Sequence, residues 1–374
     1  MQFAIVKRQE INTMSLKRIK FSNTSDQEFV HTLRKRVKNY FDDNNISRYA
    51  NYKMVIKTVV MILGYITPYF LIVFGGFTNL WLLLGLWILM GLGKAGIGLS
   101  IMHDANHGAY SKNKRVNTVL GYLMSALGSN TANWRIQHNV LHHTYTNVDG
   151  FDEDIDTGKI LRFSPNQPLI KIHRFQYIYA WALYSLMTIM RTTVKDFQQL
   201  KGFKEKGLTD LEGGYKKMLR ELIISKALYI GIVVVIPCIV VNAPVWFTIM
   251  CFFLMHMVTG VILALIFQTA HISPDTIFPL PEKDGSLANN WAVHQLKTTC
   301  NYAPKNKILS WYVGGLNYQI EHHLFPNICH VHYKEISKIV EETAKEYGLP
   351  YFSYRTFRGA IAKHGQMLYQ LGRA

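Results

Sequence analysis

The sequence predicts an all-α, four-span integral membrane protein with a cytoplasmic helical cap that gathers histidines at one end of the spans. Three observations carry that expectation. Two long stretches, Thr58 to Gly93 and Ala227 to Ala270, contain no Asp, Glu, Lys or Arg. Each is interrupted near its middle by residues that reverse a chain. Eight of the 15 histidines fall in short groups just beyond or between these stretches.

Each charge-free stretch is too long for one span of about 20 residues. The first breaks at Gly75-Gly76-Phe77-Thr78-Asn79, the second at Asn242-Ala243-Pro244 with Pro237 just before. Two helical hairpins follow, with spans at about 54–74, 79–100, 222–242 and 245–268. A soluble core hairpin rarely avoids charge for so long.

The rest of the chain is polar and basic. Of 374 residues, 49% are hydrophobic and only 17% charged, with a net charge of +17. That much apolar and aromatic material excludes intrinsic disorder. The positive charge suits nucleic acid or an anionic membrane surface. Lys and Arg outnumber Asp and Glu in all three polar blocks: 12 to 5 in residues 1–57, 16 to 11 in 103–221 and 11 to 8 in 269–374. Both hairpin tips carry none. Basic residues near span ends favour the cytoplasmic side, so both termini and the cap are expected there. No basic stripe interleaved with aromatics reads as a nucleic-acid site. No apolar run precedes Met54, so no signal peptide is expected. Cys238, Cys251, Cys300 and Cys329 form no CxxC pair, which argues against a disulfide framework and a thiolate metal site.

The histidines sit as HDANH (His103, His107), HNVLHH (His138, His142, His143), QTAH (His271) and QIEHH (His322, His323). On a helix, positions i and i+4 share a face about 6 Å apart along the axis. His103 with His107, and His138 with His142, can therefore each clamp one metal region; His143 adds a neighbouring donor, and Gln319, His322 and His323 repeat the geometry at i, i+3 and i+4. Imidazole suits iron, copper, nickel and zinc. Eight histidines exceed the four or so ligands of one tetrahedral ion, so two metals are the economical count. Lone pairs of this kind also occur by chance on solvated faces; four groups at span ends do not read that way. His256, inside a span and without a partner in another, reads as a satisfied intramembrane residue. His31, His173, His330, His332 and His364 read as surface or packing residues, and His294 as a neighbour of the ligands.

Convergence of the groups fixes the topology. An even number of spans must separate His138–His143 from His322 and His323, yet three apolar segments intervene. Residues 175–190 are the shortest and most aromatic of them, so this helix is expected to lie in the interface plane. The expected organisation is a basic N-terminal segment (1–53), a membrane domain (54–350) and a C-terminal tail (351–374).

The boxes HDANH, HNVLHH and QIEHHLFP resemble those of the membrane fatty acyl desaturases. The resemblance extends over about residues 50–350 and includes NWAVHQLKTTCNY (290–302) and GGLNYQIEHHLFPNICHVHY (314–333). Gln319 in place of the usual first histidine of the third box is similar to the front-end group, which includes linoleoyl-CoA (delta-6 type) desaturases. The resemblance implies two non-haem iron ions (Fe2+) held by His103, His107, His138, His142, His143, His271, His322 and His323. It implies dioxygen-dependent insertion of a cis double bond into an acyl-CoA or acyl-lipid. Gln319 would bind through water or orient a neighbour. Asp104 and Glu321, with Asp149 and Asp152, are candidates to fix histidine tautomers, although the run Asp149–Asp156 reads as a structured surface turn. Trp134 and Trp291 are candidates to line an apolar substrate tunnel. No HPGG motif of a fused cytochrome occurs, so electrons are expected from a separate ferredoxin or small haem cytochrome with its reductase. A lipid hydroxylase on the same two-iron scaffold is the alternative. A metal transporter fits poorly, because its sites lie near the midplane in broken or charged spans, whereas these spans are expected to be uncharged.

Overall fold

The computed structural model describes residues 19–22 and 26–373. The apolar stretches fold as four helices, Tyr52–Phe74, Leu80–Asn106, Tyr215–Val240 and Val245–His271, each long and apolar enough to cross a membrane. The chain reverses where Gly, Asn and Pro accumulate. Asn79 caps the second helix, its side chain accepting from the backbone N–H groups of Trp81 and Leu82.

The first and third spans lie outermost. Val59, Leu63, Phe70, Leu228 and Ile232 are exposed on them, a surface that suits hydrocarbon. The second and fourth spans form the centre, with Trp87, Met90, Phe252 and Met255 buried. A Cβ at Gly93 would lie 2.6 Å from the Gly64 carbonyl carbon, so the first two spans cross backbone against backbone. Gly260 does the same for residues 176–190: a Cβ there would lie 2.6 Å from the Ser185 carbonyl oxygen. That segment forms two short helices, Gln176–Ser185 and Met187–Met190, packed on the fourth span.

The spans are not free of charge, contrary to expectation. The helices outrun the charge-free stretches and take in Lys57, Lys94 and Lys226. Each buried ammonium has partners: Lys94 donates to the Tyr229 hydroxyl at 2.9 Å, and Lys226 to Asp196 Oδ2 at 2.6 Å. Such pairing is what makes a buried cation tolerable.

At one end of the bundle the remaining elements form the cap. Gln27–Asp43 packs Phe29, Leu33 and Val37 against Ile336, Val340 and Ala344 of Tyr333–Glu346. Two short parallel strand pairs tie distant segments together, Lys20–Phe21 with Ser286–Leu287 and Cys300–Tyr302 with Phe352–Tyr354. The C-terminal residues fold onto the cap. After the strand Phe352–Tyr354, Phe357–Leu371 buries Leu368 and Leu371 against Ala180, Tyr184 and Ala264. Of the expected basic N-terminal segment, residues 1–18 and 23–25 lie outside the described residues. All four cysteines are free.

Candidate metal centre

Four pieces of backbone bring the histidines together. The second span carries His103 in its last turn, with His107 just past its end. The fourth span ends on His271. Gln319–Leu324 is a short buried helix carrying His322 and His323. The fourth piece is a helix starting at Thr131, capped by the Asn130 side chain and pinned where Asn133 Nδ2 donates to the Asp196 backbone oxygen at 2.6 Å. From Arg135 to His142 this helix is wound as a π-helix, and the His143 N–H bonds to the His138 carbonyl, five residues back. The wider turn puts His138, His142 and His143 on one face, which α-helical spacing grants only to the first two. π turns recur at functional sites.

The imidazoles form two groups. The ring nitrogens of His103, His107, His138 and His322 lie within 4.8 Å of one another, as do those of His142, His271 and His323. His143 lies between, forming a third such set with His322 and His323. The Nε2 atoms of His103 and His138 are 3.2 Å apart, as are those of His138 and His143. Imidazoles sharing one ion at about 2.1 Å would have a similar spacing.

The outward nitrogens are held and the inward ones are not. His142 Nδ1–H donates to both carboxylate oxygens of Asp152 at 3.1 Å. His271 Nδ1–H donates to the Thr298 carbonyl at 3.2 Å, His323 Nδ1–H to Gln295 Oε1 at 2.8 Å and His322 Nδ1–H to the Tyr333 hydroxyl at 3.3 Å. Each arrangement fixes the tautomer that leaves Nε2 free to ligate. Among the described residues, Nε2 of His107, His271, His322 and His323 and Nδ1 of His143 are buried without any hydrogen-bond partner. A buried polar atom left unpaired costs about 1–3 kcal/mol, and five of them in one imidazole cluster are compatible with metal binding.

The electrostatics agree. Burial first, and then the neighbouring imidazoles, hold His107, His138, His143, His322 and His323 well below the ordinary histidine range. They are neutral at pH 7, as ligands must be. His142 differs: burial works against its charged form, but Asp152 and Asp154 outweigh that and raise it to about 9.

The surrounding acids depart from expectation. Asp152, expected in a surface turn, is buried and holds His142, and Asp154 lies 3.4 Å from the same ring. Asp149 turns away, accepting from the Ser164 hydroxyl and the Asn166 amide. Glu321 touches no ligand imidazole. It accepts from Asn301 Nδ2 at 2.8 Å and the Tyr351 hydroxyl at 3.0 Å, and burial pushes it up to about 7. Adjacent helical residues point about 100° apart, so when His322 faces the centre Glu321 cannot. Asp104 lies 3.9 Å from His103 Nδ1 and accepts from His330 Nδ1–H at 2.8 Å. His330 is therefore no mere packing residue; it is buried between Asp104 and Lys57.

Trp134 stacks on His138 with ring centroids 4.3 Å apart and packs with Met102 and Met124. Trp291 is half-buried, and its indole N–H donates to the His143 carbonyl. Gln319 is buried one turn ahead of His322, its Nε2 without a partner among the described residues. His294 donates to the Thr146 carbonyl and stands off the ligand rings, whereas its neighbour Gln295 contacts one. Gln295 and Tyr333 were not singled out from the sequence, because a hydrogen bond spanning 28 or 11 residues leaves no spacing signal. His173, His332 and His364 bond to Lys159, Tyr49 and Tyr184 and lie apart from the cluster, and His31 is exposed.

A buried imidazole cluster at the end of four apolar helices defines a membrane protein whose site is compatible with metal binding. Residues 79–355 match the fatty acid desaturase family. Among similar proteins are the sn-1 linoleoyl-lipid 6-desaturases of Arthrospira platensis and Synechocystis sp., each 34% identical. The first alignment covers 89% of this chain and 90% of the relative, the second 96% and 99%. The acyl-lipid (8-3)-desaturase of Physcomitrium patens is 33% identical over 95% of this chain and 74% of its own length. The chain belongs to the fatty acid desaturase family. It is an oxidoreductase of lipid metabolism, a fatty acyl desaturase, and the hydroxylase alternative gains no support.

Proposed function

We propose that this chain is an acyl-lipid desaturase with a two-iron centre, acting on the carboxyl-proximal part of a chain that already carries a double bond. The observation that carries the two-metal reading is the pair of imidazole groups with bare, facing nitrogens. In this reading His103, His107, His138 and His322 hold one ion, His142, His271 and His323 the other, and His143 lies between them. Bound there, non-haem iron would supply the dioxygen activation needed to remove hydrogen from two adjacent, non-acidic methylenes. The sn-1 linoleoyl-lipid 6-desaturases of Arthrospira platensis and Synechocystis sp. support a glycerolipid carrier and the sixth carbon.

The protein's own residues bind, orient and exclude water. Asp152, Gln295, Tyr333 and the Thr298 carbonyl aim the ligand rings. Trp134, with Met102 and Met124, shields one side of the centre. A cavity of about 470 Å³ opens between the first and third spans, lined by Tyr65, Tyr69, Phe70, Leu228 and Val233 and ending at Ser125 and Ala126. Ser125 follows Met124, which packs with Trp134, so the cavity suits part of an acyl chain reaching the centre from the bilayer. Electrons come from a separate donor, a ferredoxin or small haem cytochrome with its reductase. With four spans, both termini and the centre lie on the cytoplasmic side, where the basic excess favours them.

Expression in a host of defined lipid composition, followed by mass spectrometry of intact lipids and of double-bond position, tests this. Loss of two hydrogens at the sixth carbon on intact glycerolipid is expected, with about two irons per chain. Gain of one oxygen, or one iron per chain in active protein, would overturn it.

A further inference from the structure

A second concave site lies at the same end of the bundle, away from the bare histidine nitrogens. Its cavity is about 450 Å³, and its lining includes Lys53, Lys57, Lys305, Lys307, Lys334 and Trp311. Among the described residues no carboxylate lines it. Among the described residues none lies within ion-pair distance of Lys53, Lys305, Lys307 or Lys334; Glu335, beside Lys334, pairs with Lys338 instead. Lys57 is 3% exposed, and its ammonium sits 5.7 Å over the Trp311 ring. Five lysines facing one hollow repel one another unless an anion joins them.

We propose that this groove binds the phosphate of an anionic phospholipid. Its position sets the level. Lys53 and Lys57 belong to the opening turns of the first span. The short helix Lys307–Tyr312 lies against the second span, where the Tyr312 hydroxyl donates to the Leu92 carbonyl at 2.9 Å. On that helix Ile308 is 83% exposed and Trp311 43%. Aromatic and basic residues at a span end mark the headgroup layer, and basic pockets between spans there accept anionic headgroups. A phospholipid supplies the anion and the hydrocarbon beside it, matching lysines flanked by Ile308 and Trp311. An acidic protein surface would match only the lysines.

The groove is not the substrate's own route. Its floor is closed by a chain of side chains: Lys57 Nζ donates to His330 Nε2 at 2.6 Å, His330 Nδ1–H donates to Asp104 at 2.8 Å, and Asp104 lies 3.9 Å from His103 Nδ1. A lipid phosphate on Lys57 therefore engages the outer end of a chain whose inner end steadies His103.

The test uses the full-length protein in nanodiscs of phosphatidylcholine with phosphatidylglycerol, and counts retained lipid by native mass spectrometry. The triple variant Lys53→Gln, Lys305→Gln, Lys307→Gln changes only exposed side chains, so its melting temperature and iron content should match wild type. Phosphatidylglycerol should be retained selectively by wild type and at least about ten-fold less by the variant, with phosphatidylcholine unchanged. Equal retention by both proteins would overturn the proposal. So would displacement of the lipid by inorganic phosphate at equal concentration. Unchanged lipid retention with slowed reduction by an acidic electron carrier would reassign the groove to protein docking and equally overturn it.

Discussion

One bundle contains two buried polar clusters whose histidines are wired in opposite ways. At His256, within the fourth span, both ring nitrogens are engaged: Thr188 Oγ1 lies 3.0 Å from Nδ1, the Tyr229 hydroxyl 3.0 Å from Nε2, and Lys94 Nζ within 3.3 Å of each. Fifteen residues on, at the end of the same helix, His271 spends Nδ1 on a carbonyl and leaves Nε2 bare. Both are buried. Burial therefore does not distinguish a ligand from a packing histidine; an outward nitrogen held while the inward one is free does. The first ties spans together, and the second leaves nitrogens free, an arrangement compatible with metal binding.

The comparison can be broken in graded ways. Alanine at His142 or His322 should abolish desaturation and lower bound iron while leaving membrane insertion intact; an active His322→Ala would remove that residue from the ligand set. Asp152→Asn keeps the shape beside His142 but removes the charge that orients and enriches its ring. Iron affinity should fall about 10- to 100-fold, measured by competition with a chelator, with the melting temperature nearly unchanged. His256→Leu should do the reverse. Lys94 loses one buried partner at a cost of about 1–3 kcal/mol, lowering the melting temperature, while iron per folded chain holds constant. Iron loss from that variant without a stability change would erase the distinction.

The smallest effect is in pH. In metal-stripped protein, five histidines of the centre lie well below the ordinary range when folded, but near about 6.5 when unfolded. The unfolded chain then binds more protons, so their effect is to lower stability as pH falls below about 6.5. His142, raised to about 9, contributes oppositely: its stabilisation is full below about 6.5 and is lost as pH rises through about 9. Thermal melts from pH 5 to 10, with and without iron, should give a maximum between the two limits that flattens when metal is bound.

The hairpins were legible because absence of charge over such lengths has one common cause, and the histidine cluster because helical spacing repeats within a box. What escaped was whatever depends on partners far along the chain. Asp152 looked like part of a surface turn until the fold buried it against His142. Glu321, next to two ligands in sequence, points elsewhere by helical geometry. Lys94 lies one residue beyond a charge-free stretch but inside the expected span 79–100, and its partner Tyr229 belongs to another span, 135 residues away. His330 looked unremarkable because its role depends on Lys57 and Asp104, 273 and 226 residues away.

The π-wound stretch Arg135–His142 has a consequence for how this family can vary. A π turn holds one residue more than an α turn, so the second box can be regarded as an ordinary helix that gained a residue and kept it. Wound as α without losing a residue, the same stretch would turn His143 by about 100° away from the face it shares with His138. The winding of this box, as much as its residues, sets which imidazoles share a face.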